Sequence, residues 1–397
     1  MAETMKPKIF TRSAIKSDIL RENKVIQLVG FVILMRLLML VIVWVAFVTS
    51  ANKNADTLGF GSGRLEEVLR PFGYADVSWY MDIARNGYER REFTSNQHAN
   101  WAFYPLWPAI LRLNQFLFGE MLISGMLVST GLFILAVVQL YHLVERDFGA
   151  EIALRSAMLL IVFPASYFFL RPGPEALFLL LSILALNFSQ RGRWFPAGIA
   201  GALATLTRLQ GIVLLIPLGY LCYRQWKRIG RLDWGWAWLL LLPLAQLGFM
   251  LHMYQVSGNP LANLLMQRVW DNQLALPFTG MVEFLKRPVL ISYYGWDLTP
   301  LSFLFALLAV ILCVKMVLDR NIPPEYMLYA VISVLVVISR TNLNATLRYL
   351  IVIFPLFLAL STWMRKEFFY VLTVSIFSSL LFFYFVSFVN FFNWAAT

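Results

Sequence analysis

The chain has 397 residues, of which 59% are hydrophobic, 16% aromatic and 14% charged, with a mean hydropathy of +0.67. Soluble domains carry about 25% charged residues, so the composition excludes a soluble enzyme or binding module and points to a polytopic membrane protein. The formal net charge of +11 does not indicate nucleic acid, because the bases cluster in short loops beside apolar runs, as on the cytoplasmic side of membrane proteins.

The basic N-terminus, 1–25, carries Lys6, Lys8, Arg12, Lys16, Arg21 and Lys24. The apolar run behind it is too long for a signal h-region and lacks a small-residue cleavage site, so it reads as a retained first helix with a cytoplasmic start. About nine spans are predicted, at 26–48, 121–143, 153–170, 175–189, 234–254, 299–317, 326–340, 346–363 and 367–391. Several are shorter than the roughly 20 residues of a straight span, and short or interrupted membrane helices tend to line sites.

The run 196–222 requires a separate decision. As one span it would export Arg224, Lys227, Arg228 and Arg231 and, by inversion, Arg365 and Lys366. A re-entrant pair broken near 208–211 keeps both ends beside Arg191 and Arg193, which the positive-inside pattern favours. Broken backbone at that depth must be buried in protein or line a cavity. With that choice 49–120, 171–174, 255–298 and 341–345 are extracytoplasmic, and Asp76, Arg171, Glu175, Arg340 and Arg348 fall on that face. The whole chain, 1–397, reads as a single all-α membrane domain with two large outer loops, 49–120 and 255–298.

The first outer loop carries an unusual polar and aromatic stretch, 76–108, DVSWYMDIARNGYERREFTSNQHANWAFYPLWP. Val77, Tyr80, Ile83 and Ala84, or Trp79 with Ile83, have helical spacing. They predict a short helix lying in the interface with its aromatics at head-group depth. A second interfacial helix follows through 109–118. The glycines of 59–63 read as a flexible connector, since no strand precedes them as a nucleotide loop would require.

Asp76 precedes the aromatic stripe, where a carboxylate could take a proton from an attacking hydroxyl or simply cap the helix. Asp82 reads as a solvated face residue. Arg348 and Tyr349 open a membrane helix, and Arg340 lies in a polar patch before it. A guanidinium there suits bidentate phosphate binding, against snorkelling to the interface. Arg208 is the deepest base, and an intramembrane charge is either functional or held in a salt bridge. Glu175 is either a second acid or a partner of its helix dipole. Cys222 and Cys313 suggest neither disulfides nor a metal site, and His98, His142 and His252 are scattered too singly for zinc. No Asp-x-Asp pair, P-loop or Gly-x-Ser-x-Gly elbow occurs.

Residues 76–88 (DVSWYMDIARNGY) and 102–108 (AFYPLWP), with 163–169 (FPASYFF) and Glu175, 204–211 (ATLTRLQG) and 347–355 (LRYLIVIFP), resemble in order the motifs of the PIG-V family. Its eukaryotic members add the second mannose of the GPI anchor, and it has shorter bacterial relatives. Ala75 departs from the tryptophan that the family places before its first-loop aspartate, with Trp79 as a substitute aromatic wall. Glu89 and Glu92 both match a further family acid.

The resemblance implies a GT-C type glycosyltransferase that inverts the anomeric centre and takes mannose from a polyprenyl-phosphate carrier facing the periplasm or lumen. By motif, Asp76 is the expected general base, and Arg348 and Arg208 bind the carrier phosphate. Tyr349, Trp79, Tyr80, Glu175 and Arg340 complete the expected substrate site. The expected partners are the lipid-linked sugar, a glycolipid or glycan acceptor and membrane lipids, with no nucleic acid. No cofactor is expected and nothing demands a metal. The location implied is the bacterial cytoplasmic membrane, with the site facing outward. Two other classes fit some features. A lipid or lipid-linked-sugar flippase would share broken helices and buried arginines but should show internal repeats. A non-catalytic subunit of a glycan assembly pathway would not need Asp76.

Overall fold

The computed structural model describes residues 12–49, 62–269, 273–291 and 297–394. The expectations for residues 1–11, for 59–61 of the connector and for parts of both outer loops lie outside the described residues. Among those described, regular structure is helical apart from two isolated bridges, Leu274 with Arg340 and Ile291 with Leu298. Five helical segments are long and apolar enough to cross a membrane: Asn23–Thr49, Leu122–Phe148, Trp234–Ser257, Thr299–Leu318 and Glu367–Phe392. Their outward faces are apolar, as with Leu34, Leu37, Leu38 and Val41, Leu244, Leu247 and Leu251, and Phe382 and Phe383. That pattern suits hydrocarbon, where only internally hydrogen-bonded backbone is stable. The chain is an all-helical, multi-pass membrane protein.

The remaining apolar helices are short and central. They include α7 (Glu175–Gln190), α8 (Trp194–Thr207) and α14 (Pro324–Ile338). Two predicted spans are broken. The run 153–170 is α-helical only in α6 (Ala150–Ile161), about 18 Å long. The backbone from 162 to 174 is buried and, apart from a 3-10 turn over Ser166–Phe169, irregular, because Pro164, Pro172 and Pro174 cannot donate to a helix ladder and clash with the preceding turn. The run 346–363 divides into α15 (Thr346–Leu350) and α16 (Pro355–Trp363) for the same reason, with Pro355 opening the second piece. An unbroken hydrophobic run hides such breaks from hydropathy.

The expected broken hairpin is present. After α8 the chain is extended at Arg208 (φ −154°, ψ 150°), forms a 3-10 turn over Leu209–Leu214 and returns as α9 (Leu215–Ile229). Its two ends meet: Trp194 Nε1 donates to Gln225 Oε1 at 2.9 Å. Loops expected on one side also meet at that end. Tyr326 donates to Asp147 at 2.6 Å, and Gln190 and Arg224 reach Glu325 at 2.9 and 3.2 Å. Arg155 donates to the Met364 carbonyl at 2.8 Å and to Glu367 at 2.6 Å.

The opposite end is built by the two large loops. The helices α3 (Asp76–Asn86) and α4 (Leu106–Phe118) pair in the first. The stripe Val77, Tyr80, Ile83 and Ala84 is buried against protein. Tyr80 meets Phe103 edge-on at 5.0 Å, and Trp79 stacks on the same ring at 6.1 Å. Asp82 is half-buried, not a solvated face residue: it accepts from Asn86 at 2.8 Å and Asn100 at 3.0 Å, closing the loop that follows. Phe116, Leu117 and Phe118 at the end of α4 are exposed, as an interfacial helix requires. Trp107 Nε1 donates to the Pro172 carbonyl at 2.8 Å, tying α4 to the irregular 162–174 segment.

Gly211 allows the hairpin tip to close, since a Cβ there would run into the backbone of Ala204 and Thr205. We expect Gly211→Ala to destabilise the protein by about 1–3 kcal/mol and lower its Tm in detergent. Gly219→Ala, in helix with open space around it, should be neutral or raise Tm slightly. Equal Tm values for the two variants would contradict the close approach.

Candidate active site

The loop end of the molecule gathers Asp76, Glu175, Arg208 and Arg348 into one chain of ion pairs. Glu175 opens α7 and is 1% exposed. Its Oε1 accepts from Arg208 Nη1 at 2.8 Å and from Arg348 Nε and Nη2, both at 2.6 Å. Arg348 Nη1 continues to Asp76 Oδ2. Four separate elements therefore meet: the start of α3, the start of α7, the break after α8, and α15. Glu175 is thus in the first helical turn, where the dipole favours it, and it also joins two arginines.

Aromatic rings fill the space between the guanidinium groups. Phe168 lies 5.0 Å from Arg348 and 5.4 Å from Arg171. Tyr349 lies 5.2 Å from Arg208 and 4.7 Å from Arg340. Arg171 donates to the Tyr74 carbonyl at 2.6 Å and also rests on Phe388 at 4.9 Å. Arg340 and Arg348 are turned inward onto these partners, which removes the snorkelling alternative for both. Arg208 is in a salt bridge, with Gln210 Oε1 accepting from its Nε at 3.1 Å.

Asp76 is the exposed member of the ion-pair chain, with a third of its side chain (33%) accessible. It does not cap α3. The N-cap is Ala75, at φ 54° and ψ −136° with no side-chain cap, and the carboxylate reaches Arg348 instead. That positive φ is unusual for a residue with a Cβ and sends Asp76 inward, at the position where the related family carries tryptophan. Burial by itself would push the Asp76 carboxyl up, but Arg348, with Arg171 and Arg208 behind it, holds it below the usual carboxylate range. Burial pushes the Tyr80 hydroxyl far up, so it stays protonated and available as a donor. Around the ion-pair chain three guanidinium groups, Arg171, Arg208 and Arg348, meet two carboxylates, leaving one positive charge in excess.

Glu89 and Glu92 are distinguished by their surroundings. Glu89 pairs with Arg91 at 2.9 Å inside its own loop, whereas Glu92 is exposed. Among the described residues no three of His, Cys, Asp or Glu gather as metal ligands would. Sequence reading grouped Arg171 with Asp76, Glu175, Arg340 and Arg348 without assigning it a partner. It missed Asp297, which is 4% exposed and lines a narrow crevice with Arg348, Tyr167 and Tyr384. A lone acid in a loop carries no spacing signal.

Two predictions follow from the ion pairs. Glu175→Gln leaves two buried guanidinium groups short of charge and should cost about 3–5 kcal/mol, read as a fall in Tm larger than that of Asp76→Asn. Asp76 has a depressed folded pKa, so its stabilisation is complete above about pH 3.9, the ordinary value, and is lost as pH falls through the folded pKa. The stability difference between wild type and Asp76→Asn should therefore be flat from pH 5 to 7 and shrink only at more acid pH. A difference that vanishes near pH 6 would contradict the Arg348 pair.

Comparison with known proteins shows the same resemblance. Residues 98–256 match the family described as dolichyl-phosphate-mannose-protein mannosyltransferase. The GPI alpha-1,6-mannosyltransferase 2 of Mus musculus is 30% identical over 174 residues, 41% of this chain and 33% of the mouse protein. That of Cricetulus griseus is 31% identical over 172 residues, with the same coverage. The match thus spans about a third of the length of these relatives. A solved structure of the archaeal oligosaccharyltransferase AglB from Archaeoglobus fulgidus, with an inhibitory peptide and a dolichol-phosphate, aligns to 90% of this chain and 55% of its own, with 13% identity and a TM-score of 0.44. The resemblance read from the motifs is borne out: over residues 98–256 and the stretch shared with the GPI enzymes, this membrane chain is similar to mannosyltransferases.

Proposed function

We propose that the protein transfers a mannosyl residue from a polyprenyl-phosphate carrier to a hydroxyl of a glycolipid or glycan acceptor, at the extracytoplasmic face of a bacterial cytoplasmic membrane. Asp76 acts as general base, and the anomeric centre inverts. The observation that carries this reading is the ion-pair chain from Asp76 through Arg348 and Glu175 to Arg208, itself balanced, with Arg171 behind it as one positive charge in excess.

Charge balance supports a monophosphate carrier. The donor is a phosphodiester with one negative charge, which offsets the single excess guanidinium. In the transfer, the acceptor oxygen bonds to the anomeric carbon and its proton passes to Asp76. The bond from that carbon to the phosphate oxygen breaks, and the carrier leaves as a monoester approaching two negative charges. Neutralising Asp76 raises the local excess to two, so the balance holds on both sides of the step. Arg348 couples the halves. While Arg348 Nη1 is given wholly to Asp76 the carboxylate is a weak base, and once that donor is shared with the phosphate the basicity of Asp76 rises. Water-excluded donors aimed at the leaving phosphate stabilise the charge that develops there. A carboxylate on the ring face opposite the leaving group is the arrangement that inverting glycosidases use. Nothing in this step calls on a metal or other cofactor.

The test uses purified protein, polyprenyl-phosphate mannose and candidate acceptors, with product scored by mass. Asp76→Asn should lower the transfer rate by about 10²–10⁴ while leaving donor binding within a few-fold. Equal product from the two proteins would refute the base assignment. Arg208→Ala should weaken donor binding, and unchanged affinity with a lowered Tm would leave Arg208 a structural partner of Glu175 only.

A further inference from the structure

Arg348 lies on a turn with an unfavourable backbone. Ala345, the residue before α15, has φ 55° and ψ 20°, the left-handed conformation, which is unfavourable for a residue with a Cβ. The five-residue helix that follows is too short to be stable alone, yet it presents Arg348 to Asp76 and Glu175, and Tyr349 to Arg208 and Arg340. Something must hold Ala345 in place. The buried carboxylate of Asp297 does so from the other outer loop: its Oδ2 accepts the Ala345 N–H at 2.8 Å, while its Oδ1 accepts the Ser302 hydroxyl at 3.1 Å. Ser302 lies in the first turn of α13 (Thr299–Leu318), so one carboxylate joins a membrane-spanning helix to the turn. The same turn is tied by Asn342 Oδ1 accepting from the Asn344 N–H at 3.0 Å and by the Thr346 hydroxyl donating to the Leu343 carbonyl at 2.7 Å. Those bonds are local. Asp297 supplies a long-range one.

We infer that Asp297 is a positioning residue for the transfer site: by clamping the left-handed Ala345 turn onto the start of α13, it sets where Arg348 stands between Asp76 and Glu175. The inference rests on the reading of Arg348 as part of that site. It makes no use of the charge of Asp297, only of its two acceptor oxygens. Asparagine therefore serves in its place, since the amide oxygen can accept from Ala345 while the amide nitrogen donates to the Ser302 oxygen. Glycine at 345 also lessens the need for the clamp, because it adopts φ > 0 freely.

Three variants, Asp297→Ala, Asp297→Asn and Asp297→Ala with Ala345→Gly, are compared with wild type by two readouts. The first is the Kd for a short-chain polyprenyl phosphate. Asp297→Ala should raise it about tenfold, and the other two should fall within threefold of wild type. The second is amide hydrogen exchange over 345–350, which should quicken in Asp297→Ala alone. Wild-type values in Asp297→Ala, or failure of Ala345→Gly to restore them, would overturn the clamp. A defect of equal size in Asp297→Asn would show that the charge matters, and would equally overturn it. If Asp297→Ala is not recovered folded, Asp297→Ser, whose oxygen is too short to reach Ala345, takes its place. If wild type binds no polyprenyl phosphate, the proposed function fails and the exchange measurement still decides the clamp.

Discussion

The interaction on which the rest depends is the acceptance of two guanidinium groups by one buried carboxylate, Glu175. An ion removed from water costs several kcal/mol unless it is paired and hydrogen-bonded. Arg208 and Arg348 come from segments 140 positions apart in the chain and could not both be buried without an acid between them. Glu175 meets that need at the start of a helix, where its charge also suits the dipole. One carboxylate thereby fixes the hairpin tip, the turn before α15 and the first outer loop relative to one another.

The irregular backbone follows from the same requirement. A site of charged groups below the membrane surface needs helix ends there, because only ends release side chains and backbone to face one another. The prolines at 164, 172, 174 and 355 stop helices at that level, and the broken hairpin brings Arg208 to it. The freed backbone is tolerable because 162–174 is packed inside the protein and bonded to Trp107, not exposed to lipid. Asp76 sits at the margin of this assembly, its carboxylate partly open and the remaining groups behind it. An accessible carboxylate backed by buried guanidinium groups is the arrangement on which the proposed transfer rests.

Much of this was legible beforehand. Hydropathy marked the long spans, and the positive-inside pattern identified the hairpin broken at Arg208, because a loop charge reports its side of the membrane whatever the packing. Helical spacing located α3 and its apolar stripe. The cover of that stripe was not legible: a face that suits head groups by composition also suits Phe103, and periodicity does not say what packs on it. The helix breaks at 162 and 351 were hidden by unbroken hydrophobicity, although the prolines that cause them were visible.

The amino-acid sequence by itself determined that the chain spans a membrane, which loops share a side, and that Asp76, Glu175, Arg208 and Arg348 were the residues to watch. Those features depend on local composition, which any window of the chain contains. The tertiary structure alone decided that these four groups form one continuous ion-pair chain, that Asp76 reaches Arg348 instead of capping its helix, and that Asp297 holds the turn beneath. Each of those depends on contacts between segments far apart in the chain, and their geometry is set by how the short helices pack, which no local pattern encodes.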